Sequence, residues 1–231
     1  MDTFLKKAKD RADALGVHNI VVATLNGGSV RDAREAFGDG YSWFAVSNPA
    51  SAHEKGLVYH DGMSQETQKA LEAEGIRVIL ADQGLFQKAA IGGPPYPIGA
   101  DVPEFVWQGT HKRKIDWHAV KTFGDVVNKV INKELSPVWL VTGTIGALMG
   151  DGPAVCLEIT LIAADSGILP LNKDCLAISR PRPASHAPDT AMVLRPSKTP
   201  DFLRAFRIKD LLLVPRPDDH WFNNKRLWPN G

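Results

Sequence analysis

The segment His18-Asn-Ile-Val-Val-Ala-Thr24, followed directly by Leu25-Asn-Gly-Gly-Ser29, decides the fold of this chain. A short, continuous apolar run of this kind is typical of a β-strand that is buried on both faces, as in a parallel sheet. The two glycines then indicate a tight turn, and a helix is predicted from Val30 to Phe37. Strand, glycine turn and helix in succession predict an α/β domain.

The same alternation continues on both sides of this segment. Residues 3–15 carry apolar side chains at helical spacing, and Gly16 is the expected end of that helix. A second strand is predicted from Tyr41 to Val46, and a helix follows with Ser64 as its N-cap. A third strand is predicted from Ile76 to Leu80. Regular alternation of helices and strands indicates a layered α/β architecture.

The alternation stops after residue 84. Residues 85–114 are rich in proline and glycine but also carry aromatic residues, which favours a packed loop over a flexible linker. Helices are predicted from Ile115 to Leu135 and from Val138 to Met149. Further strands are predicted at Val155 to Ala163, Cys175 to Ser179, Thr190 to Leu194 and Leu211 to Val214. The short connections between these late strands indicate an antiparallel or mixed edge of the sheet.

No internal repeat and no clear linker divides the chain, so a single domain over residues 1–231 is predicted. The Pro/Gly-rich segment 85–114 is an expected insertion into it. The tail 216–231 is aromatic and is expected to pack on the body or on a second copy of the chain, which would make a homo-oligomer.

Charge and composition limit the classes of partner. The chain has 27 Lys and Arg residues against 26 Asp and Glu, a net charge of +1, so nothing drives it as a whole toward nucleic acid or an anionic membrane. An anionic ligand therefore needs a local site. No apolar stretch approaches the ~20 residues that cross a bilayer, and no secretory signal is recognised. Cys156 and Cys175 lie within apolar runs, which predicts reduced core thiols in a cytoplasmic protein.

The first candidate site is the turn from Thr24 to Val30. Asn26, Gly27 and Gly28 allow backbone amides to approach an anion, and the start of a helix presents unpaired N–H groups. Ser29 is expected either to donate to a phosphate oxygen or to cap the helix in an ordinary turn. The spacing matches neither a Walker A loop nor the dinucleotide fingerprint.

A second candidate lies in the predicted strand from Val155 to Ala163. Strand alternation would place Glu158 on one face with Cys156, and a carboxylate in an apolar strand indicates a partner or a ligand. The turn Asp165-Ser166-Gly167 would follow at the ligand-binding end of the strand. The structural alternative is that Glu158 pairs with an arginine and that Asp165 caps a turn.

Other candidate residues flank the remaining strands. Arg180 precedes Pro181, and an arginine fork suits phosphate or carboxylate, although an exposed basic loop is an equal alternative. Thr190 begins a strand nearby. Ser47 ends the second strand, and His53 follows it on the presumed ligand side as a donor. No catalytic residues are assigned, because no recognised nucleophile or acid–base arrangement is present, and no metal site is expected.

The residues Ile20-Val-Val-Ala-Thr24 with Asn26-Gly-Gly-Ser29, then Phe44-Ala-Val-Ser47 and Gly75-Ile-Arg-Val-Ile79, resemble the C-terminal domain of pyruvate kinase. The chain is more closely similar to the stand-alone archaeal and bacterial proteins that share this fold. The most specific stretches are Cys156 to Gly167 and Asp189 to Pro196. The similarity covers about residues 3–84 and 115–216.

The resemblance implies a three-layer α/β/α domain with a mixed, mostly parallel sheet of five core strands, one of them antiparallel. Because the catalytic domain of pyruvate kinase is missing, it implies no kinase activity. Stand-alone relatives bind flavin mononucleotide (FMN), and by position Asn26 to Val30 would hold its phosphate. Glu158, Asp165, Ser166, Gly167, Arg180 and Thr190 would line the rest of the cleft.

Two functions follow from the turn and the resemblance. The first is binding of FMN, with a flavin-dependent oxidoreductase activity left open. The second is a non-catalytic sensor or binding module for a sugar phosphate or another nucleotide. Gly28 replaces the polar residue more usual in that turn, and the insertion and tail are additions to the family body.

Overall fold

The computed structural model describes residues 3–48, 62–80, 141–142, 145, 149, 151–179 and 188–213. In chain order the elements are α1 (Thr3–Ala14), β1 (Asn19–Ala23), α2 (Gly28–Phe37), β2 (Ser42–Ser47), α3 (Gln65–Ala73), β3 (Arg77–Leu80), α4 (Asp151–Asp165), β4 (Cys175–Ser179), β5 (Thr190–Arg195), a 3₁₀ turn (Thr199–Asp201), α5 (Phe202–Ala205) and β6 (Arg207–Leu213).

The six strands form one mixed sheet in the order β3-β2-β1-β4-β5-β6. The pairs β1–β2, β1–β4 and β2–β3 are parallel, whereas β5 runs antiparallel to β4 and to β6. The predicted α/β class and the mostly parallel, mixed sheet are therefore confirmed. The sheet has a sixth strand beyond the five that the resemblance implies.

Helices pack against both faces of this sheet. On one face, α1 and α2 bury Leu5, Ala8 and Val30 against Ile20 and side chains of neighbouring strands. On the other face, α4 packs its apolar residues against Val21, Phe44 and Ala177. Alternate residues of β1 thus enter opposite cores, as expected of a strand that is covered on both sides.

Most of the elements predicted in the first third of the chain are confirmed. All three strands are present, and Ser64 caps α3 by accepting a hydrogen bond from the Thr67 amide at 3.1 Å. The strands at 175–179 and 190–194 are also present, and the last strand starts four residues earlier than predicted, at Arg207. Val141, Thr142, Ile145 and Met149 are helical, as predicted.

The prediction of a strand from Val155 to Ala163 is wrong, because this segment belongs to the helix α4. Its side chains are apolar almost all round, and such a run does not distinguish a buried helix from a buried strand. A hydrogen bond within the segment also follows the helix, because the Thr160 hydroxyl donates to the Cys156 carbonyl one turn earlier, at 2.8 Å. Pro153 fits in the first turn, where its missing N–H leaves no bond unmade.

The predicted helix at 115–135, the insertion 85–114 and the tail 216–231 lie outside the described residues. Within the part of the chain that is described, no helix has both the length and the apolar character needed to cross a membrane.

Strand β6 is irregular. Val193 pairs with Asp210 and Leu194 pairs with Ile208, so Lys209 is the extra residue of a β-bulge. The amide of Leu211 donates to Oδ1 of Asp210 at 2.9 Å. The bulge therefore bends the last strand of the described sheet, and a side chain satisfies one of its backbone donors.

The two thiols are expected to be unreactive in the folded protein. Both are fully buried and free, and burial raises the pKa of Cys156 and of Cys175 to about 12. The thiolate is the reactive form, so an aromatic disulfide reagent at pH 8 should label neither thiol in the time that an unfolded sample reacts completely. Stoichiometric labelling of the folded protein would contradict this burial.

Candidate functional site

The carboxyl ends of β1, β2, β3 and β4 lie at the same edge of the sheet, because these strands are parallel. From β1 the chain crosses to β2 on one side, and β4 lies on the other side. The strand order thus reverses between β1 and β4. In open α/β sheets, ligands bind in the crevice at such a point, outside the carboxyl ends of the strands.

The turn that leaves β1 is held by its own side chains. The Thr24 amide donates to the Val46 carbonyl at 3.1 Å, which ties the turn to β2. Thr24 Oγ1 accepts from the Gly27 amide at 3.0 Å, and Asn26 Oδ1 accepts from the Gly28 amide at 3.0 Å. These bonds fix the backbone of the turn before α2 begins.

Gly27 is required at its position for two reasons. Its φ of +83° lies in the left-handed region, which residues with a Cβ rarely adopt. A Cβ there would also lie 3.1 Å from a methyl carbon of Leu71 and 3.2 Å from Nη1 of Arg31. The glycine therefore lets the chain turn sharply into α2 beneath these two side chains.

Two backbone donors remain at the start of α2. The helix opens with an Arg31 N–H bond to the Gly27 carbonyl, at 3.2 Å, and the amides of Ser29 and Val30 bond to none of the described residues. Such amides carry the positive end of the helix dipole. These two amides can bind an anion without a basic side chain.

The Ser29 hydroxyl adds a third donor at the same place. Ser29 is only 9% exposed, and its Oγ has no hydrogen-bond partner in the described part of the chain. It shares a helical stripe with the buried residues Ala33 and Ala36, which face the sheet. A buried hydroxyl is costly without a partner, which makes Ser29 a candidate binding residue.

Next to the turn, the carboxyl edge of the sheet is formed by β4, β5 and the start of α4. Ser179, the last residue of β4, pairs with Thr190, the first of β5. The Ser179 hydroxyl donates to the Gly152 carbonyl at 3.0 Å, and the Thr190 hydroxyl donates to Asp189 Oδ1 at 3.0 Å. All three of these polar side chains are buried, so the edge is polar yet shielded from solvent.

The structure brings together one group of the predicted site residues. Thr24, the turn 26–30, Ser47 and Thr190 all lie at the carboxyl edge of the sheet. Ser47 is buried there at the end of β2, and its hydroxyl donates to the Asn48 carbonyl at 3.2 Å. Arg180 and His53 fall outside the described residues.

A second group lies elsewhere, because α4 is a helix. Asp165, Ser166 and Gly167 are at its C-terminal end, whereas its first turn contacts Ser179 at the carboxyl edge. Their expected place at the ligand-binding end of a strand is therefore wrong. Glu158 lies in the middle of the helix and is half-buried, not on one face of a strand with Cys156.

Asp165 has a structural role at this opposite edge. Its carboxylate accepts from the Thr199 amide at 2.8 Å and from the Thr199 hydroxyl at 2.6 Å, so it holds the 3₁₀ turn against α4. Burial raises the pKa of Asp165, and the bonds from Thr199 offset part of that rise. The structural alternative for this residue, that it caps a turn, is the one that the geometry supports.

Sequence reasoning missed Gly152, Ser179 and Arg31. Ser179 carried a usable signal, since it is the polar end of an apolar strand run. Arg31 also carried a usable signal, because two residues four positions apart lie on the same face of a helix, one turn from each other. Gly152 had none, because its contact with β5 depends on recognising α4 as a helix.

The arrangement is suited to binding more clearly than to catalysis. It combines helix amides, hydroxyl groups and one buried carboxylate, Asp189. Among the described residues, no group of three His, Cys, Asp or Glu side chains is placed to hold a metal ion.

Comparison with models of known protein families finds no match for this chain.

Replacing Gly152 by alanine should destabilise the protein. An added Cβ would lie 2.7 Å from the Thr190 Cβ and closer still to its hydroxyl oxygen, and both belong to the buried sheet edge. Overpacking of this kind costs typically 1–3 kcal/mol, measured as the free energy of unfolding in urea.

The matched background is Thr190→Gly, which removes both of the clashing atoms. In that background Gly152→Ala should cost much less, and the double-mutant cycle measures the difference. If Gly152→Ala lowered the free energy of unfolding equally in the two backgrounds, the start of α4 would not be in close contact with Thr190.

Stability should depend on pH through Asp165. Because its pKa is raised, the folded state keeps this proton to higher pH than the unfolded state, so the free energy of unfolding falls as pH rises above the ordinary pKa of an aspartate. Asp165→Asn does not titrate. Urea unfolding should therefore show the variant gaining on the wild type between pH 4 and 7, and two parallel pH curves would refute this.

Proposed function

We propose that the chain binds a phosphorylated small molecule, most favourably FMN, with the phosphate at the turn from Thr24 to Val30. The observation that carries the proposal is the group of three donors at the start of α2. The amides of Ser29 and Val30 and the buried hydroxyl of Ser29 have no partner among the described residues. Phosphate oxygens are the usual acceptors for such a group.

The phosphate end of FMN fits these residues. Gly27 allows the sharp turn into α2, and Thr24 and Asn26 already satisfy the amides of Gly27 and Gly28. The remaining amides are therefore held in place before a ligand arrives. A site that is already ordered loses less conformational entropy when the ligand binds, and this favours affinity.

Beyond the phosphate, the ribityl chain of FMN would lie along the carboxyl edge of the sheet, outside the buried side chains of Ser179 and Thr190. The isoalloxazine ring would carry out hydride or electron transfer if the protein is an oxidoreductase. The resemblance to stand-alone pyruvate kinase C-terminal-like proteins supports flavin over other phosphorylated ligands.

The second candidate is a non-catalytic sensor of a sugar phosphate or another nucleotide. The same three donors at the start of α2 favour it, since they would bind the phosphate of either ligand. The two candidates share the phosphate turn and differ in what lies beyond it.

The spectrum of the purified protein separates them. If FMN is the ligand, the protein as purified, or after incubation with FMN, should absorb near the flavin bands, and mass spectrometry should identify FMN after denaturation. A colourless protein that takes up no flavin but is stabilised against heat by a sugar phosphate would favour the sensor.

A charge at the turn should abolish either ligand. Ser29→Asp places a carboxylate beside the amides of Ser29 and Val30, where it suits the helix dipole but repels a phosphate. Binding, followed by fluorescence titration, should be lost, and circular dichroism of the same sample checks that the fold is kept, because Ser29 is buried.

Gln65→Asp is the matched control, because it adds the same charge to the first turn of α3. It should leave binding unchanged. Unchanged affinity in Ser29→Asp would exclude the turn as the phosphate site.

A further inference from the structure

Arg31 reaches back over the phosphate turn. It is the fourth residue of α2, and side chains on a helix point toward the helix N-terminus. Its Nη1 lies 3.2 Å from the position that a Cβ on Gly27 would occupy. The guanidinium is therefore beside the turn, although Arg31 itself is exposed.

Glu74 holds the Arg31 side chain in place through an ion pair. Arg31 Nε donates to Oε1 and Oε2 of Glu74 at 3.0 and 3.2 Å, and Nη2 donates to Oε1 at 2.7 Å. Nη1 has no acceptor in the parts of the chain that are described. The ion pair thus fixes the plane of the guanidinium and leaves its remaining nitrogen directed to the turn side.

Stability alone does not account for this pair. Both side chains are substantially exposed, 43% for Arg31 and 37% for Glu74, and exposed ion pairs contribute little to stability. A carboxylate that bonds to two nitrogens of one arginine is, however, an effective way to orient the third nitrogen, because a guanidinium carries five N–H groups in a rigid plane.

We infer that Arg31 is a specificity-determining residue, which restricts the turn to ligands that end in a phosphate monoester. The inference rests on the proposed phosphate site. Ser29, nine-tenths buried and without a partner in the described part of the chain, supplies a hydroxyl on the sheet side of α2, and Arg31 supplies Nη1 near Gly27.

A monoester matches these donors better than a diester. It offers three terminal oxygens and carries nearly two negative charges at neutral pH, whereas a diester offers two oxygens and a single charge. The amides of Ser29 and Val30, the Ser29 hydroxyl and Arg31 Nη1 together make four donors. FMN meets this requirement, riboflavin lacks the phosphate, and FAD has only an internal pyrophosphate.

The test compares Arg31→Met with Arg34→Met. Arg34 is on the same helix and bonds to the same residue, the Glu74 carbonyl, at 2.6 Å, but it lies one turn farther from Gly27. FMN and inorganic phosphate are the probes, titrated by flavin fluorescence and by thermal shift, and riboflavin is the probe without a phosphate.

Arg31→Met should weaken FMN and inorganic phosphate about tenfold or more, as expected for loss of one charge-assisted hydrogen bond. Arg34→Met should change neither by more than about twofold, since it loses only general charge. Any weak affinity for riboflavin should be the same in both variants. Wild-type affinity for FMN should also fall below about pH 6, where the monoester takes up a proton.

The possible failures are distinct. If Ser29→Asp abolishes FMN binding but the two arginine variants bind equally, the turn is the site and the inference about Arg31 is overturned. If the wild type binds neither FMN nor inorganic phosphate, the proposed function itself is overturned, and the inference with it. Equal weakening of riboflavin and FMN in Arg31→Met would also overturn it, because the effect would not act through the phosphate.

Discussion

The structure depends on the burial of β1. This strand pairs with β2 on one side and β4 on the other, and its residues enter both hydrophobic cores. A strand in that position needs helices on both faces of the sheet, and a parallel partner on each side requires crossover connections. The layering, the strand order and the crevice at the reversal point all follow from placing Ile20, Val21 and Val22 at the centre.

Local signals made the first third of the chain predictable. Glycine turns, a serine cap and strand runs flanked by helical patterns gave the correct element types as far as β3. The turn from Thr24 to Val30 was predictable for the same reason, since it is a local arrangement of a strand end, two glycines and a helix start. Its bond from Thr24 to Gly27 is contained within four residues.

The segment from Asp151 to Asp165 was not predictable from its pattern. It is buried from several sides, so it lacks the polar stripe that identifies a helix, and its length alone argued for helix against strand. That one error moved Asp165, Ser166 and Gly167 to the wrong edge of the sheet. The contacts of Gly152 and Arg31 depend on packing between distant segments, which spacing in the sequence does not encode.

The bulge in β6 has a consequence for how this protein behaves in concentrated solution. A regular strand at the end of a sheet presents evenly spaced donors and acceptors on which a strand of another molecule can add. Lys209 breaks that spacing, and the Asp210 side chain occupies the Leu211 amide. The charges of Arg207, Lys209 and Asp210 would also have to be desolvated by an incoming strand. The irregularity thus opposes addition of a strand from another molecule at this end of the described sheet.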